Sequence, residues 1–194
     1  MLDTHARRFV QPAVEQAAKG FIKLGFKANQ VTWLAFLVAL PVSILIYQGS
    51  SWAAVVLLWT SGALDAIDGS IARRLGQVSP WGTLLDITFD RLVELSVIIS
   101  LAARYPQSQF LLLLLTGGIV LSMTVFLTVG ALSNKQGTKS FYYQAGLAER
   151  TEGFILLTLM ILLPQQLDWI TGFFLVAVLI TAIQRMLEAR RILK

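Results

Sequence analysis

Two pairs of aspartates, spaced as neighbours on a helix, are the residues of this sequence best suited to chemistry. Asp65 and Asp68 stand three residues apart, and Asp86 and Asp90 stand four apart. Residues at these spacings share one face of an α-helix, so each pair presents two carboxylates together. Carboxylate oxygens are the preferred ligands of Mg²⁺ and Mn²⁺. Four of them exceed what one Mg²⁺ usually takes from protein, which predicts a site for two divalent ions, Mg²⁺ or Mn²⁺.

These aspartates, and Glu94 beyond them, lie in segments that are otherwise strongly apolar. Hydrophobic residues make up 56% of the chain and charged residues 14%, against roughly 25% charged residues in soluble domains. The apolar residues fall in long runs, which indicates an integral membrane protein. A charge at the bilayer centre costs on the order of 3 kcal/mol, and ionisable residues there are functional by default. A bound cation therefore explains the cluster better than polar contacts between helices.

Six segments are long and apolar enough to cross a membrane as helices, which takes about 20 residues each. We predict an all-α fold, an integral membrane bundle of six transmembrane helices in a single domain over residues 1–194. The bundle occupies residues 30–187, and its spans lie at about 30–48, 52–74, 82–103, 109–133, 147–164 and 168–187. A short turn at 76–80 makes the second and third spans antiparallel neighbours, so that all four aspartates converge on one pocket.

Residues 1–28 form a leader, for which we predict an amphipathic helix lying in the membrane interface. Apolar residues recur there at helical spacing, with polar residues between them, at Val14, Ala17, Ala18, Phe21 and Ile22. The leader lacks a compact apolar core followed by a small-residue cleavage site, so we expect no removable signal peptide. The sequence contains no cysteine, which excludes disulfides and thiolate metal sites.

Basic residues are distributed asymmetrically between the predicted loops. They collect in the leader, after the second and fourth spans and at the C-terminal end, whereas Arg104 is the only lysine or arginine on the opposite side. The positive-inside rule then predicts that both termini and the aspartate site face the cytoplasm. The formal net charge of +5 fits basic loops facing anionic lipid, so we expect no nucleic-acid partner.

The aspartates belong to a longer pattern of defined residues. The sequence reads Asp65-x-x-Asp68-Gly69-x-x-Ala72-Arg73, then eight residues, then Gly82-x-x-x-Asp86-x-x-x-Asp90. This pattern resembles the signature of the CDP-alcohol phosphotransferase (CDP-alcohol phosphatidyltransferase) family at every defined position and spacing. The resemblance implies a membrane enzyme that transfers a phosphoalcohol group from a CDP-linked lipid, usually CDP-diacylglycerol, to a polar alcohol acceptor with release of CMP.

The resemblance also implies a role for each residue of the pattern. Asp65, Asp68 and Asp86 act as ligands of two metal ions, and Asp90 is the general base and a further ligand. The donor and its nucleotide contact the first two aspartates and the smaller or basic positions near them, namely Asp65, Asp68, Gly69, Ala72, Arg73 and Gly82. At the start of the first span, Asn29 and Thr32 join this donor site. The family commonly forms homodimers, which we expect of this chain.

Four basic residues on the predicted cytoplasmic side are candidates for binding the acceptor, namely Lys135, Lys139, Arg150 and Arg185. Several phosphatidylinositol-phosphate synthases of the family have similar basic positions, including an ending like Gln184-Arg185-Met186. The resemblance implies that these residues hold the phosphate of a phosphorylated polyol, such as inositol phosphate or glycerol phosphate, because arginine binds phosphate through forked hydrogen bonds. The alternative is that they only follow the positive-inside rule.

Two other kinds of membrane protein use intramembrane carboxylates. A divalent-cation transporter would use the cluster as its transport site, but the sequence has no inverted repeat or broken helix. A prenyltransferase of the UbiA type would bind a diphosphate through aspartates and magnesium, but that class is longer and lacks the Gly-x-x-Ala-Arg and Gly-x-x-x-Asp-x-x-x-Asp continuation. Metal-dependent CMP release from a CDP-linked lipid distinguishes the phosphotransferase from both.

Overall fold

A computed structural model of the protein describes residues 2–133, 146 and 150–193, with side chains from residue 10 onward. These residues form α-helices joined by short turns and contain no strand. The helices are α1 (Leu2–Lys23), α2 (Ala28–Gln48), α3 (Ser51–Leu75), α4 (Pro80–Arg104), α5 (Gln109–Leu132), α6 (Arg150–Leu162) and α7 (Leu167–Ile192). The prediction of an all-α fold is confirmed for the described part of the chain.

Four helical segments among the described residues are long and apolar enough to cross a membrane, at Ala28–Gln48, Ser51–Leu75, Pro106–Leu132 and Pro164–Ile192. They include α2, α3, α5 and α7. Helix α4 has the necessary length, with 25 residues, but its charged side chains lower its hydropathy. The described part of α6 has 13 residues. The count of six spans therefore stays a prediction.

The chain divides by its internal contacts into two units, Leu2–Arg104 and Tyr105–Lys194. In the first unit, α2 packs against both α3 and α4, and α1 packs against α3. In the second unit, α5 and α6 each pack against α7. The single domain expected over residues 1–194 stays a prediction.

Helix α2 can pack against both α3 and α4 because small residues occupy many of its buried positions. Ala28, Thr32, Ala35 and Ala39 are all buried, and they recur every three or four residues along one side of the helix. In membrane helices, small residues at this spacing let two backbones approach closely. Helices α3 and α4 therefore pack mainly against α2 rather than against each other.

A glycine and an arginine join the ends of α2 and α4. Gly49 caps α2 with φ of 89°, a left-handed conformation that a residue without Cβ adopts at no steric cost. Arg104 Nη1 donates a hydrogen bond to the carbonyl oxygen of Ile46 at 3.1 Å. A Cβ at Gly49 would lie 2.5 Å from Arg104 Nη2, so glycine at this position suits the turn and leaves room for the guanidinium.

The apolar residues expected on one face of the leader helix pack against the other helices of the first unit. Ala18 is fully buried in a cluster with Val31 of α2 and with Ile67 and Ile71 of α3. Partly buried side chains around this cluster include Val14, Ala17, Phe21 and Ile22. Protein contacts thus cover this face of α1, and the placement of the helix in the membrane interface stays a prediction.

An ion pair adds a second connection between α1 and α3. Arg74 Nη2 donates to Glu15 Oε2 at 2.7 Å, and both side chains are partly exposed. Hydrogen bonds from Gln11 and from Arg74 lower the pKa of the Glu15 carboxyl, so this carboxyl stays ionised to a lower pH than an ordinary glutamate. Arg74 lies at the C-terminal end of α3, in the half of this helix that also carries Asp65 and Asp68. The ion pair therefore connects α1 to that half of α3.

Candidate active site and metal centre

Three of the four predicted metal ligands come together in the first unit. One carboxylate oxygen from each of Asp65, Asp68 and Asp86 lies within 4.8 Å of the other two. Asp65 and Asp68 are one turn apart on α3, and Asp86 is on α4. Because both helices pack on α2, the third carboxylate reaches the first two across the gap between α3 and α4.

The donor set of this group suits a divalent metal ion. Asp65 and Asp68 are 9% and 6% exposed, and Asp86 is half-buried. Negative oxygens held this close with little water repel one another, and a cation relieves the repulsion. Hard oxygen ligands are those that Mg²⁺ and Mn²⁺ prefer. The residues present therefore fit the predicted ions.

Asp90 does not belong to this close group of carboxylates within the described residues. It follows Asp86 by four residues on the same face of α4 and is half-buried. A helix rises about 1.5 Å per residue, which separates the two backbone positions by about 6 Å along the axis. Asp90 thus lies beside the three carboxylates rather than among them. Its roles as ligand and as base both stay predictions.

The residues expected to contact the donor on α3 differ in their surroundings. Arg73 is exposed, and its side chain folds back along α3. Its Nη1 lies 3.3 Å from the position that a Cβ of Gly69 would occupy. Gly69 therefore leaves room for the guanidinium one turn away. Ala72 is partly buried against the cluster between α1 and α3, so the structure gives it a packing role. A nucleotide-binding role for these three residues stays a prediction.

The first residues of α2 and the first residues of α4 lie close together in the first unit. A Cβ at Gly82 would lie 3.2 Å from Asn29 Oδ1 and 3.3 Å from Ser79 Oγ. The Gly82 N–H donates to Ser79 Oγ at 3.1 Å. Asn29 and Gly82, which the sequence pattern assigns to one donor site, are thus neighbours. Ser79 was not predicted there, although a serine next to Pro80 at the start of a helix is a common signal for an N-terminal cap.

The hydroxyl of Thr32, the other residue expected at the start of the first span, acts within its own helix. Thr32 Oγ1 donates to the carbonyl oxygen of Ala28 at 3.2 Å, and the side chain is buried. Its proton is therefore used inside α2, and only the lone pairs of the oxygen remain for a ligand. Contact with the donor stays a prediction for this residue.

The fifth acidic residue of α3 and α4, Glu94, pairs with an arginine on its own helix. Arg91 donates to Glu94 Oε2 three residues further along α4. Glu94 is 8% exposed and, within the described residues, lies outside the group of three carboxylates. Removing one partner of a buried ion pair leaves an uncompensated charge, which is strongly destabilising. This geometry assigns Glu94 to the support of α4.

The two predicted acceptor residues that the structure describes, Arg150 and Arg185, lie in the second unit. Arg185 of α7 is buried, and Arg150 is the first residue of α6, with its guanidinium carbon 5.8 Å from the centre of the Phe154 ring. Lys135 and Lys139 lie outside the described residues. Two residues of α5 contact Arg185 and were not predicted, namely Ser122 and Phe126. No signal in the sequence singles out Ser122, because α5 also carries the hydroxyl residues Thr116, Thr124 and Thr128.

Comparison with known proteins identifies the family. The family model for CDP-alcohol phosphatidyltransferase matches residues 26–184. The chain belongs to the CDP-alcohol phosphatidyltransferase family. It is 32% identical to the archaetidylinositol phosphate synthase of Pyrococcus horikoshii over 191 residues, covering 94% of this chain and 93% of the relative.

Two crystal structures of the phosphatidylinositol phosphate synthase PgsA1 from Mycobacterium tuberculosis share the fold. The structure with CDP-DAG bound superimposes with a TM-score of 0.75 at 22% identity, covering 91% of this chain and 92% of PgsA1. The complex with manganese and citrate gives a TM-score of 0.74 at 22% identity, covering 91% and 88%. At this level of identity the two structures establish the fold alone.

Family membership decides between the functions considered from the sequence. The predicted class of enzyme, a metal-dependent CDP-alcohol phosphatidyltransferase, is confirmed, and so is an integral membrane protein. The use of divalent metal is confirmed by the family and agrees with the three carboxylates. A cation transporter and a UbiA-type prenyltransferase are different families, and neither matches this assignment.

Proposed function

We propose that this chain transfers the phosphatidyl group of CDP-diacylglycerol, or of an ether-linked CDP-lipid, to a phosphorylated polyol. Inositol phosphate is our first candidate for the acceptor, and glycerol phosphate is the second. The observation that carries the proposal is the group of Asp65, Asp68 and Asp86 within the signature of the family. The name of the Pyrococcus relative supports inositol phosphate as acceptor, and PgsA1 with CDP-DAG bound supports the donor.

In this proposal the donor binds at the cluster of carboxylates. Asp65, Asp68 and Asp86 hold two divalent ions, Mg²⁺ or Mn²⁺. When bound, such ions neutralise the diphosphate and stabilise the charge that develops on the departing CMP. Gly69 and Gly82 lack side chains and so leave room for the Arg73 guanidinium and for Asn29 Oδ1 beside their backbones, and these polar groups would contact the nucleotide. The Arg73 guanidinium, already placed over Gly69, binds a phosphate oxygen of the donor.

The transfer itself requires a base and an attacking oxygen. Asp90 takes the proton from the acceptor hydroxyl. The acceptor oxygen then forms a bond to the phosphorus that carries the lipid alcohol. The bond between this phosphorus and the bridging oxygen of CMP breaks, and CMP leaves with the electron pair. Asp90 is suited to this role because it lies one turn beyond Asp86 and outside the close group of carboxylates.

The acceptor is proposed to bind through its phosphate to basic side chains. Arg150 and Arg185 are the described candidates, and the sequence adds Lys135 and Lys139. Burial favours Arg185 in particular, because a guanidinium with little access to water binds phosphate more strongly than an exposed one. If these basic residues only follow the positive-inside rule, the enzyme should show no preference for a phosphorylated over an unphosphorylated acceptor.

The proposal includes six membrane spans, of which α2 to α7 are the described parts, and a homodimer in the membrane. Both termini and the metal site face the cytoplasm, as the basic residues at 73–74 and 190–191 favour. The sequence has no cysteine, so single-cysteine variants can be labelled specifically. In intact cells, a membrane-impermeant maleimide should label Gln107→Cys but reach Gln77→Cys only after permeabilisation. The reverse pattern would show that the orientation is wrong.

The reaction is tested by CMP release from purified protein in lipid nanodiscs with Mg²⁺ or Mn²⁺. The donors are CDP-diacylglycerol and its ether-linked analogue, and the acceptors are inositol phosphate, glycerol phosphate, inositol, glycerol and serine. We expect release that requires metal and is fastest with inositol phosphate, with the phosphorylated lipid as second product. Release that is no faster with any acceptor than with water would contradict the proposed transfer. Faster release with inositol than with inositol phosphate would contradict the phosphorylated acceptor.

A further inference from the structure

Arg185 is a buried arginine whose guanidinium is held by a neighbouring helix. It lies on α7 and is 8% exposed. Its Nη1 donates to Ser122 Oγ at 3.1 Å and approaches the carbonyl oxygen of Ser122 at 3.4 Å. The guanidinium carbon lies 4.7 Å from the centre of the Phe126 ring. Two residues of α5, one turn apart, therefore contact this group through a hydrogen bond and through a ring face.

The close packing of α5 against α7 fixes these contacts. Gly118 lies one turn before Ser122, and a Cβ there would lie 3.1 Å from Leu175 Cδ1. Beyond the contact with Arg185, Val125 and Val129 of α5 form a buried cluster with Ala189 of α7. The two helices thus pack tightly on both sides of Ser122, and this packing sets the position of its hydroxyl relative to α7.

The contacts restrict the guanidinium in a way that suits recognition of phosphate. An arginine side chain has many rotamers, and ordering it on binding costs conformational entropy. A guanidinium is planar, with five N–H donors in a fixed fork. A hydrogen bond to one nitrogen and an aromatic ring beside the guanidinium carbon therefore restrict the directions in which the other donors point.

We propose that Ser122 and Phe126 are positioning residues, which hold Arg185 in the orientation that binds the phosphate of the acceptor. The inference rests on the proposed function, because it assigns the acceptor phosphate to Arg185. It predicts that substitutions of Ser122 and Phe126 alter the Michaelis constant for the phosphorylated acceptor and leave the Michaelis constant for the CDP-lipid unchanged.

Two variants of nearly the same shape test the hydroxyl of Ser122. Ser122→Thr keeps the hydroxyl oxygen that accepts the hydrogen bond from Arg185. Ser122→Val has a methyl group in place of this hydroxyl. We expect Ser122→Val to raise KM for inositol phosphate about three- to tenfold, the range that corresponds to the net contribution of one ordinary hydrogen bond, and Ser122→Thr to stay close to the natural protein. Thr116→Val is the matched control, because the Thr116 hydroxyl donates within α5 to Leu112, and it should leave KM unchanged.

The ring is tested separately, which keeps the inference falsifiable if variants at Ser122 fold poorly. Phe126→Leu removes the ring face and should raise KM for inositol phosphate, whereas Phe126→Tyr keeps the face and should not. In an Arg185→Ala background, Ser122→Val and Phe126→Leu should have no further effect on KM, because both act through the guanidinium.

Several outcomes would overturn the inference while the proposed function stands. One is an equal KM for inositol phosphate in Ser122→Val and Ser122→Thr. Another is an equal rise in KM for inositol phosphate and for the CDP-lipid, together with a lower unfolding temperature. The third is a rise in KM caused by Ser122→Val or Phe126→Leu that is as large in the Arg185→Ala background as in the natural protein. The proposed function fails in a different way, through absence of CMP release by the natural protein. If Arg185→Ala leaves KM for inositol phosphate unchanged, Arg185 does not bind the acceptor phosphate. The positioning role of Ser122 and Phe126 is then also wrong.

Discussion

Replacing Asp86 with asparagine is expected to abolish both the binding of divalent metal and the release of CMP. Asp86 is the one carboxylate of the close group that comes from α4, so its loss removes the link between the two metal-binding helices. Loss of a residue that merely supports a metal ligand typically costs 10–100-fold, and loss of a ligand should cost more, at least about 100-fold in kcat/KM. The measurements are CMP release and the rise in unfolding temperature on adding Mn²⁺.

The metal-free protein provides an internal control for this variant. The unfolding temperature of Asp86→Asn without metal gives the baseline against which the effect of Mn²⁺ on this variant is measured. The rise caused by Mn²⁺, which reflects binding to the folded state, should disappear. Asp168→Asn makes the same chemical change at an exposed position of α7 and should leave both measurements unchanged. A normal rise with Mn²⁺ in Asp86→Asn would remove Asp86 from the ligand set.

Replacing Asp90 with asparagine is expected to separate turnover from metal binding. Asp90 lies outside the close group of carboxylates, so the rise in unfolding temperature with Mn²⁺ should persist. Asparagine cannot accept the proton of the acceptor hydroxyl, and loss of a general base typically costs about 10²–10⁴-fold. We therefore expect CMP release to fall by at least about 100-fold in kcat, with KM for the CDP-lipid nearly unchanged.

The comparison of the two variants decides the role of Asp90. If Asp90→Asn loses the response to Mn²⁺ as Asp86→Asn does, Asp90 is a metal ligand, as the sequence pattern also predicts. If it releases CMP at a near-normal rate, another group removes the proton. Arg91→Lys, at the next position of α4, keeps a positive partner for Glu94 and serves as a control for local changes in the helix.

Local features of this protein could be predicted from the sequence because they belong to single helices. The pairing of Asp65 with Asp68 follows from the helical repeat alone, and the all-α fold follows from the length and hydropathy of the apolar runs. The spacing of the eight defined residues from Asp65 to Asp90 was enough to predict the family and the use of metal. None of these features depends on how one helix is rotated against another.

The tertiary structure decided which of these residues meet. Two antiparallel helices were expected to bring four carboxylates into one pocket, but α3 and α4 pack mainly on α2, and the close group contains Asp86 without Asp90. Hydropathy marked Ala18 and Ile22 as apolar but does not distinguish a surface facing lipid from one facing protein. Ser122 and Arg185 are 63 residues apart in sequence. Their contact depends on the close approach of α5 to α7, which packing determines and no local pattern encodes.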